Sequence, residues 1–143
     1  MASKVLLLVK RLNKEAIVPV RQHETDVGLD LVIVDDAEIH PQARINVSVG
    51  LAVQLPPGTW GKIEGRSSLA IRDGIIALAG VIDQGYRGEL FVVLYNPTGQ
   101  TKFLKAGARI AQLIVMPYVK VDPVEVPKLD ESDRGEAGMG STG

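Results

Sequence analysis

The chain has no cysteine, so neither a disulfide framework nor a thiolate nucleophile is open to it. Its only two histidines, His23 and His40, are too few for a His-rich zinc site. Any metal must therefore be held through oxygen. That favours Mg²⁺, which keeps several waters and takes one or two carboxylates beside substrate phosphates. Excess charge is also missing: 16 Lys plus Arg stand against 17 Asp plus Glu, a net charge of −1. There is no basic field to hold a polyanion, and no nucleic-acid partner is expected. A long apolar run is absent too. Val5 to Val9 is too short to span a bilayer and is flanked by Lys4, Lys10 and Arg11. It reads as a first strand, not a signal peptide, and the expected location is cytoplasmic or nuclear with no membrane segment. Neither Gly-x-x-x-x-Gly-Lys-Ser/Thr nor Gly-x-Gly-x-x-Gly after a strand occurs, so P-loop and Rossmann sites are excluded.

What is present is a β pattern. Ile45, Val47, Val49, Leu51, Val53 and Leu55 alternate with Asn46, Ser48, Gly50, Ala52 and Gln54, which predicts one long half-buried strand. Further strands are expected over Val5–Leu12, Asp30–Val34, Trp60–Glu64, Ile75–Val81, Glu89–Tyr95, Arg109–Met116 and Val119–Val126. Gly and Pro clusters such as Pro56-Pro57-Gly58 and Asn96-Pro97-Thr98-Gly99 punctuate them. Only Ser67–Arg72 reads as a short helix. Many short strands with almost no helical periodicity indicate a mainly β sandwich or jelly roll. Past Val126 the apolar content collapses, and residues 128–143 are expected to be a mobile C-terminal arm outside a core formed by residues 1–127.

Five segments carry groups that do chemistry, each with an ordinary structural reading beside it. Gly65-Arg66-Ser67-Ser68 brings a guanidinium, two hydroxyls and the free N–H groups of a helix start to one place; it is an anion dock or an N-cap. Val81-Ile82-Asp83-Gln84-Gly85-Tyr86-Arg87-Gly88 sets an acid three residues before an aromatic on a hairpin shoulder, where a turn Asp commonly satisfies only local backbone donors. The tail from Arg134 to Gly143 is Gly-rich, yet its Arg, glycines and Ser-Thr pair are the groups that clamp phosphates. Asp30 in Val27-Gly28-Leu29-Asp30-Leu31 is a strand-start carboxylate, and Gln112 in Gly107-Ala108-Arg109-Ile110-Ala111-Gln112-Leu113 is an amide whose partners are backbone or ligand. His23, His40 and Trp60 converge on nothing and read as structural.

In order, these five segments resemble the five motifs of the trimeric dUTPase (dUTP pyrophosphatase) family across essentially the whole chain. The resemblance implies a jelly-roll-like β-barrel with a short helix, a homotrimer with active sites shared between subunits, and an arm closing over the substrate of another subunit. It implies Mg²⁺-assisted hydrolysis of dUTP to dUMP and pyrophosphate, limiting uracil in DNA and supplying dUMP for thymidylate synthesis. Asp83 would activate the water that attacks the α-phosphorus, and Asp30 would hold the Mg²⁺ complex through its waters. Arg66, Ser67, Ser68 and Gln112 would bind phosphate oxygens. Tyr86 would stack under the deoxyribose and exclude a 2′-hydroxyl by shape, while Ala77, Gly80 and Val81 would read uracil through backbone groups. From the arm, Arg134, Gly140, Ser141 and Thr142 would close on the phosphate end. Met139 would cover the base where the family usually has an aromatic, which predicts looser closure. Ala108, Val27 and Leu29 also depart from the family pattern and read as packing changes.

Two rival readings stand beside this one. A dCTP deaminase shares the Arg-Ser-Ser-Leu-Ala motif, but that family carries a catalytic Glu shortly after its aromatic, where this chain has Arg87-Gly88. A non-catalytic scaffold that binds nucleotide or a regulatory protein is disfavoured by the intact Asp83 and tail, and no sequence feature points to such a partner.

Overall fold

The structure is a computed structural model and describes residues 3–140, so Ser141 and Thr142 lie outside the described residues. Among the described residues the chain forms eleven strands and one helix. They are β1 (Leu8–Arg11), β2 (Gly28–Val32), β3 (Ala37–Ile39), β4 (Arg44–Ser48), β5 (Leu51–Gln54), β6 (Thr59–Gly65), α1 (Ser67–Asp73), β7 (Ile76–Leu78), β8 (Val81–Ile82), β9 (Phe91–Tyr95), β10 (Lys102–Leu104) and β11 (Arg109–Pro117). The mainly β jelly-roll-like expectation, with its single short helix, is met.

The strands divide into a four-stranded sheet ordered β2-β11-β6-β8, a three-stranded sheet ordered β4-β9-β7, and the antiparallel pairs β1-β5 and β10-β3. Leu31, Leu51, Leu90, Leu94, Ile110 and Leu113 are fully buried between them. Each contributes about 1.5–3 kcal/mol by leaving water, which anchors strand register firmly enough to hold a site.

Two strands expected to be continuous are each broken at a corner where the chain changes sheet. The run from Ile45 to Leu55 divides at Gly50, where φ is +67°. Its first half pairs with β9 and its second with β1. The run from Ile75 to Val81 breaks at Ala79 and Gly80, with φ of +59° and +106°. Here β7 goes to β9 and β8 to β6, and the Ile63 N–H donates to the Gly80 carbonyl at 2.7 Å to hold the corner. A Cβ on Gly80 would meet the Ile63 carbonyl oxygen, so glycine is required sterically as well as conformationally. Alternation alone does not reveal such corners, because the period of two persists on both sides of them.

Two strands were not expected, and one expected strand does not form. β3 and β10 are three-residue strands, too short for an alternation to be read. Val119–Val126 forms no strand and is exposed throughout. Its apolar alternation has no partner strand among the described residues, and a strand needs a neighbour for its backbone hydrogen bonds. The chain leaves the sheets at Tyr118, whose N–H donates to the Gly58 carbonyl at 3.1 Å, and residues 118–137 are all exposed. No described helix is long and apolar enough to cross a membrane.

Candidate functional site

The four-stranded sheet places the first group of candidate residues. Antiparallel register sets Asp30 of β2 opposite Gln112 of β11, and Gln112 opposite Glu64 of β6. Directly opposed residues share a face. Leu31, Ala111, Leu113 and Ile63 take the core face, so Asp30, Gln112 and Glu64 share the outer one. The Lys62 ammonium lies 2.7 Å from the Glu64 carboxylate. That hydrogen bond and its charge hold the Glu64 carboxyl below the usual carboxylate range.

A cleft of about 490 Å³ opens over this face, lined by Asp30, Arg66, Ser67, Ser68 and Gln112 together with His23, Asp26, Gly28 and Arg109. Asp30 is 8% exposed and lies between two guanidiniums. Arg66 Nε stands 3.7 Å from Oδ1, and Arg109 Nη1 stands 3.5 Å from Oδ2. Gln112 Nε2 donates to the Gly65 carbonyl at 3.2 Å. Gly28 makes room for that amide, since a Cβ there would run into Gln112 Oε1. At the helix start, Arg66 is the N-cap residue and makes no side-chain cap bond. The hydroxyls of Ser67 and Ser68 are therefore not capping the helix, and the ordinary reading of that motif falls away.

The chemistry of this donor set defines what metal it suits. No group of three or more His, Cys, Asp or Glu that could hold a metal ion assembles among the described residues. Asp26, the other carboxylate of the cleft, already accepts from the His23 N–H at 3.0 Å. One carboxylate flanked by guanidiniums and hydroxyls does not make a dedicated metal cage. It fits Mg²⁺ that arrives with phosphates and keeps its waters.

The second group collects elsewhere. Gly80, Val81, Asp83 and Tyr86 line a cleft of about 240 Å³ with Leu78, Phe91 and Val93. Ala77 packs against the core instead, and Leu78 is the first residue of that segment to reach the cleft. Asp83 follows β8 and opens a turn closed by Tyr86 N–H to its carbonyl at 3.0 Å. Its exposed carboxylate takes no hydrogen bond from a described residue, so it is not serving the turn. The Tyr86 hydroxyl donates to the Glu89 carbonyl at 2.8 Å, and its ring lies where a Cβ on Gly88 would otherwise be. Both contacts fix the ring's orientation.

Asp30 and Asp83 lie at opposite edges of the same sheet. Three strand spacings separate β2 from β8, about 14 Å across the sheet at about 4.8 Å each. Asp30 is level with Glu64 of β6, whereas Ile82 pairs with Gly61, which adds an offset of about 10 Å along the strands. One triphosphate, two P–O–P links long, does not reach both clefts of one chain.

The described C-terminal residues line neither cleft. Arg134 Nε donates to the Ala137 carbonyl at 2.7 Å within a local turn, and Met139 is fully exposed at φ +49°. Gly140 is likewise exposed.

Arg109 and His23 were not anticipated as cleft residues. Strict alternation would put Arg109, three positions from Gln112, on the other face. A bulge between Arg109 and Ala111 inserts Ile110 and turns the Arg109 side chain to the Asp30 side.

The family model described as dUTPase matches residues 14–143. The deoxyuridine 5′-triphosphate nucleotidohydrolase of Clostridium kluyveri is 49% identical over 140 residues, covering 96% of this chain and 97% of that protein. Its counterpart from Paramecium bursaria Chlorella virus 1 is 46% identical over 137 residues, with coverages of 96% and 97%. Among solved structures, a mutant dUTPase of Staphylococcus bacteriophage 80alpha with dUpNHpp aligns at a TM-score of 0.92 and 27% identity, over 96% of this chain and 98% of that one.

Proposed function

The chain belongs to the dUTPase family and hydrolyses dUTP, and from that premise we propose how its residues divide the work. The observation that carries the proposal is the pair of half-sites at opposite edges of one sheet, neither complete alone. A homotrimer brings the phosphate cleft of one subunit against the Asp83 cleft of its neighbour, as symmetric association of identical chains allows. Exposed apolar residues supply surface for such an assembly, among them Val5, Leu6, Val81, Val119, Val121 and Val124.

In that assembly Arg66, Ser67, Ser68 and Gln112 bind the phosphates. Asp83, to which no described residue donates, orients a water in line with the α-phosphorus and takes its proton as the bond to phosphorus forms and pyrophosphate leaves. Tyr86, held by Glu89 and packed on Gly88, presents its ring to the deoxyribose, and a ribose 2′-hydroxyl is rejected by shape. The corner at Ala79 to Val81 offers backbone groups to uracil. Asp30 would hold Mg²⁺, which when bound would supply positive charge to the phosphate oxygens. Residues 128–143 form the arm, which closes over the substrate of another subunit with Arg134 toward the phosphates and Met139 toward the base. The reaction removes dUTP from the pool open to DNA synthesis and provides dUMP for thymidylate.

The test is a pyrophosphate-release assay with Mg²⁺ over dUTP, dTTP, dCTP and UTP, run on the wild type and Asp83→Asn. Release from dUTP alone is expected in the wild type. The variant should lose about 10²–10⁴-fold in kcat while binding nucleotide normally, since the amide keeps shape without basicity. Wild-type turnover by Asp83→Asn removes that residue from the mechanism, and ammonia from dCTP without pyrophosphate from dUTP would favour the deaminase reading.

A further inference from the structure

Arg109 is a cation of the phosphate cleft to which the division of labour above gives no task. We propose that it is a positioning residue that keeps Asp30 and Arg66 from closing on each other, so that both stay available when the metal-bound triphosphate enters. This rests on reading the cleft as the phosphate half of the site.

The carboxylate of Asp30 is divided between two cations. Oδ1 lies 3.7 Å from Arg66 Nε and Oδ2 lies 3.5 Å from Arg109 Nη1. Both separations exceed the roughly 2.7–2.9 Å of a closed charge-assisted pair. Neither arginine has captured the acid, because each pulls on a different oxygen. Arg109 acts on the other partner as well. Arg66 Nη1 donates to the Arg109 backbone carbonyl at 3.3 Å, which draws the Arg66 fork away from a two-pronged grip on Asp30. The bulge at Ile110 makes both contacts possible by presenting the carbonyl and the side chain of Arg109 toward the cleft.

Removing the Arg109 side chain leaves Asp30, with its side chain 11% exposed, with Arg66 as its remaining cation. The Arg109 backbone carbonyl stays, but its bond from Arg66 Nη1, at 3.3 Å, is too long to hold the fork against a charged partner, and planar guanidinium and carboxylate then close as a bidentate pair. That closed pair withdraws the phosphate-binding cation and the metal-facing acid together, acting as an internal competitor of the substrate. The competition disappears if Asp30 carries no charge, which separates this role from direct phosphate binding by Arg109.

The experiment uses the full-length chain as wild type, Arg109→Gln, Arg109→Lys, Asp30→Asn and the Asp30→Asn/Arg109→Gln pair. Binding of the non-hydrolysable α,β-imido analogue of dUTP is measured by calorimetry with and without Mg²⁺, beside steady-state kinetics and melting temperature. Arg109→Gln should bind the analogue with Mg²⁺ about tenfold more weakly, roughly 1.4 kcal/mol. Its KM and the Mg²⁺ concentration for half-maximal rate should rise by a similar factor, with kcat at saturation within about twofold and melting unchanged. Arg109→Lys, which keeps a cation near Oδ2, should recover most of the loss even if the glutamine variant folds poorly. The double variant should bind no worse than Asp30→Asn alone. Additive losses in the double variant, or equal losses with and without Mg²⁺, would make Arg109 a phosphate ligand and overturn the proposal. Unchanged binding in a folded Arg109→Gln would overturn it too. If the wild type itself fails to hydrolyse dUTP, the fault lies instead with the assignment of the site.

Discussion

Mixing two inactive variants tests the shared site most directly. Asp83→Asn leaves the phosphate cleft intact, and Arg66→Ala leaves the Asp83 cleft intact, because the two clefts have no lining residue in common. With about 14 Å of sheet between their edges, neither substitution disturbs the other half. Each homogeneous variant should fall to a small fraction of wild-type kcat/KM, since the first lacks the base and the second a phosphate-binding charge. When the two are unfolded, mixed in equal amounts and refolded, a working site needs its phosphate half from an Asp83→Asn chain and its base half from an Arg66→Ala chain. Random assembly supplies that combination in about one site in four, so about a quarter of wild-type activity should return. The arm is wild type in both chains and does not alter the ratio. Steady-state pyrophosphate release gives the activity, and native mass spectrometry of the same sample counts hybrid oligomers. Hybrids that are present yet no more active than the mean of the two parents would show that each site lies within one chain. One chain would then hold both the phosphate cleft and the base of a single working site.

Three further outcomes follow from local geometry. Gly28→Ala places a methyl group against Gln112 Oε1 and should cost about 1–3 kcal/mol in urea unfolding or raise KM by displacing the amide; a variant normal in both would mean that Gln112 has room to move and takes no part in binding. Truncation after Asp133 should leave the melting temperature unchanged, because residues 118–137 are exposed and carry no core contact, while kcat/KM falls sharply; normal turnover would remove the arm from catalysis. Met139→Phe should lower KM for dUTP several-fold by providing a flat ring over the base where a flexible thioether now stands, and an unchanged KM would show that this side chain does not cover uracil.

Much of this molecule is legible in its sequence. Strand content, the short helix at Ser67 and the order of the five motifs follow from local rules: period two, β-branched runs, Gly and Pro punctuation, and short-range chemistry. The lone carboxylates Asp30 and Asp83, and the Arg-Ser-Ser step at the helix start, were visible because their residue types restrict what they can do. The unbroken strand expected from Ile45 to Leu55 and the strand expected from Val119 to Val126 failed for one reason. Alternation records which side chains face inward, whereas a strand is defined by the neighbour that completes its hydrogen bonds.

Pairing and register decided the rest. Asp30 meets Gln112 because β2 and β11 are neighbours, although the two positions are 82 apart in sequence. Asp83 is remote from both because β8 ends the opposite edge. Arg109 shows the division most clearly. Its place in Gly107-Ala108-Arg109-Ile110-Ala111-Gln112 gives it the wrong face by alternation, and a single extra residue in the ladder turns it onto Asp30. Local sequence supplies the groups that can do chemistry, while long-range packing determines which of them meet, since a one-residue shift in register exchanges every side chain between core and cleft.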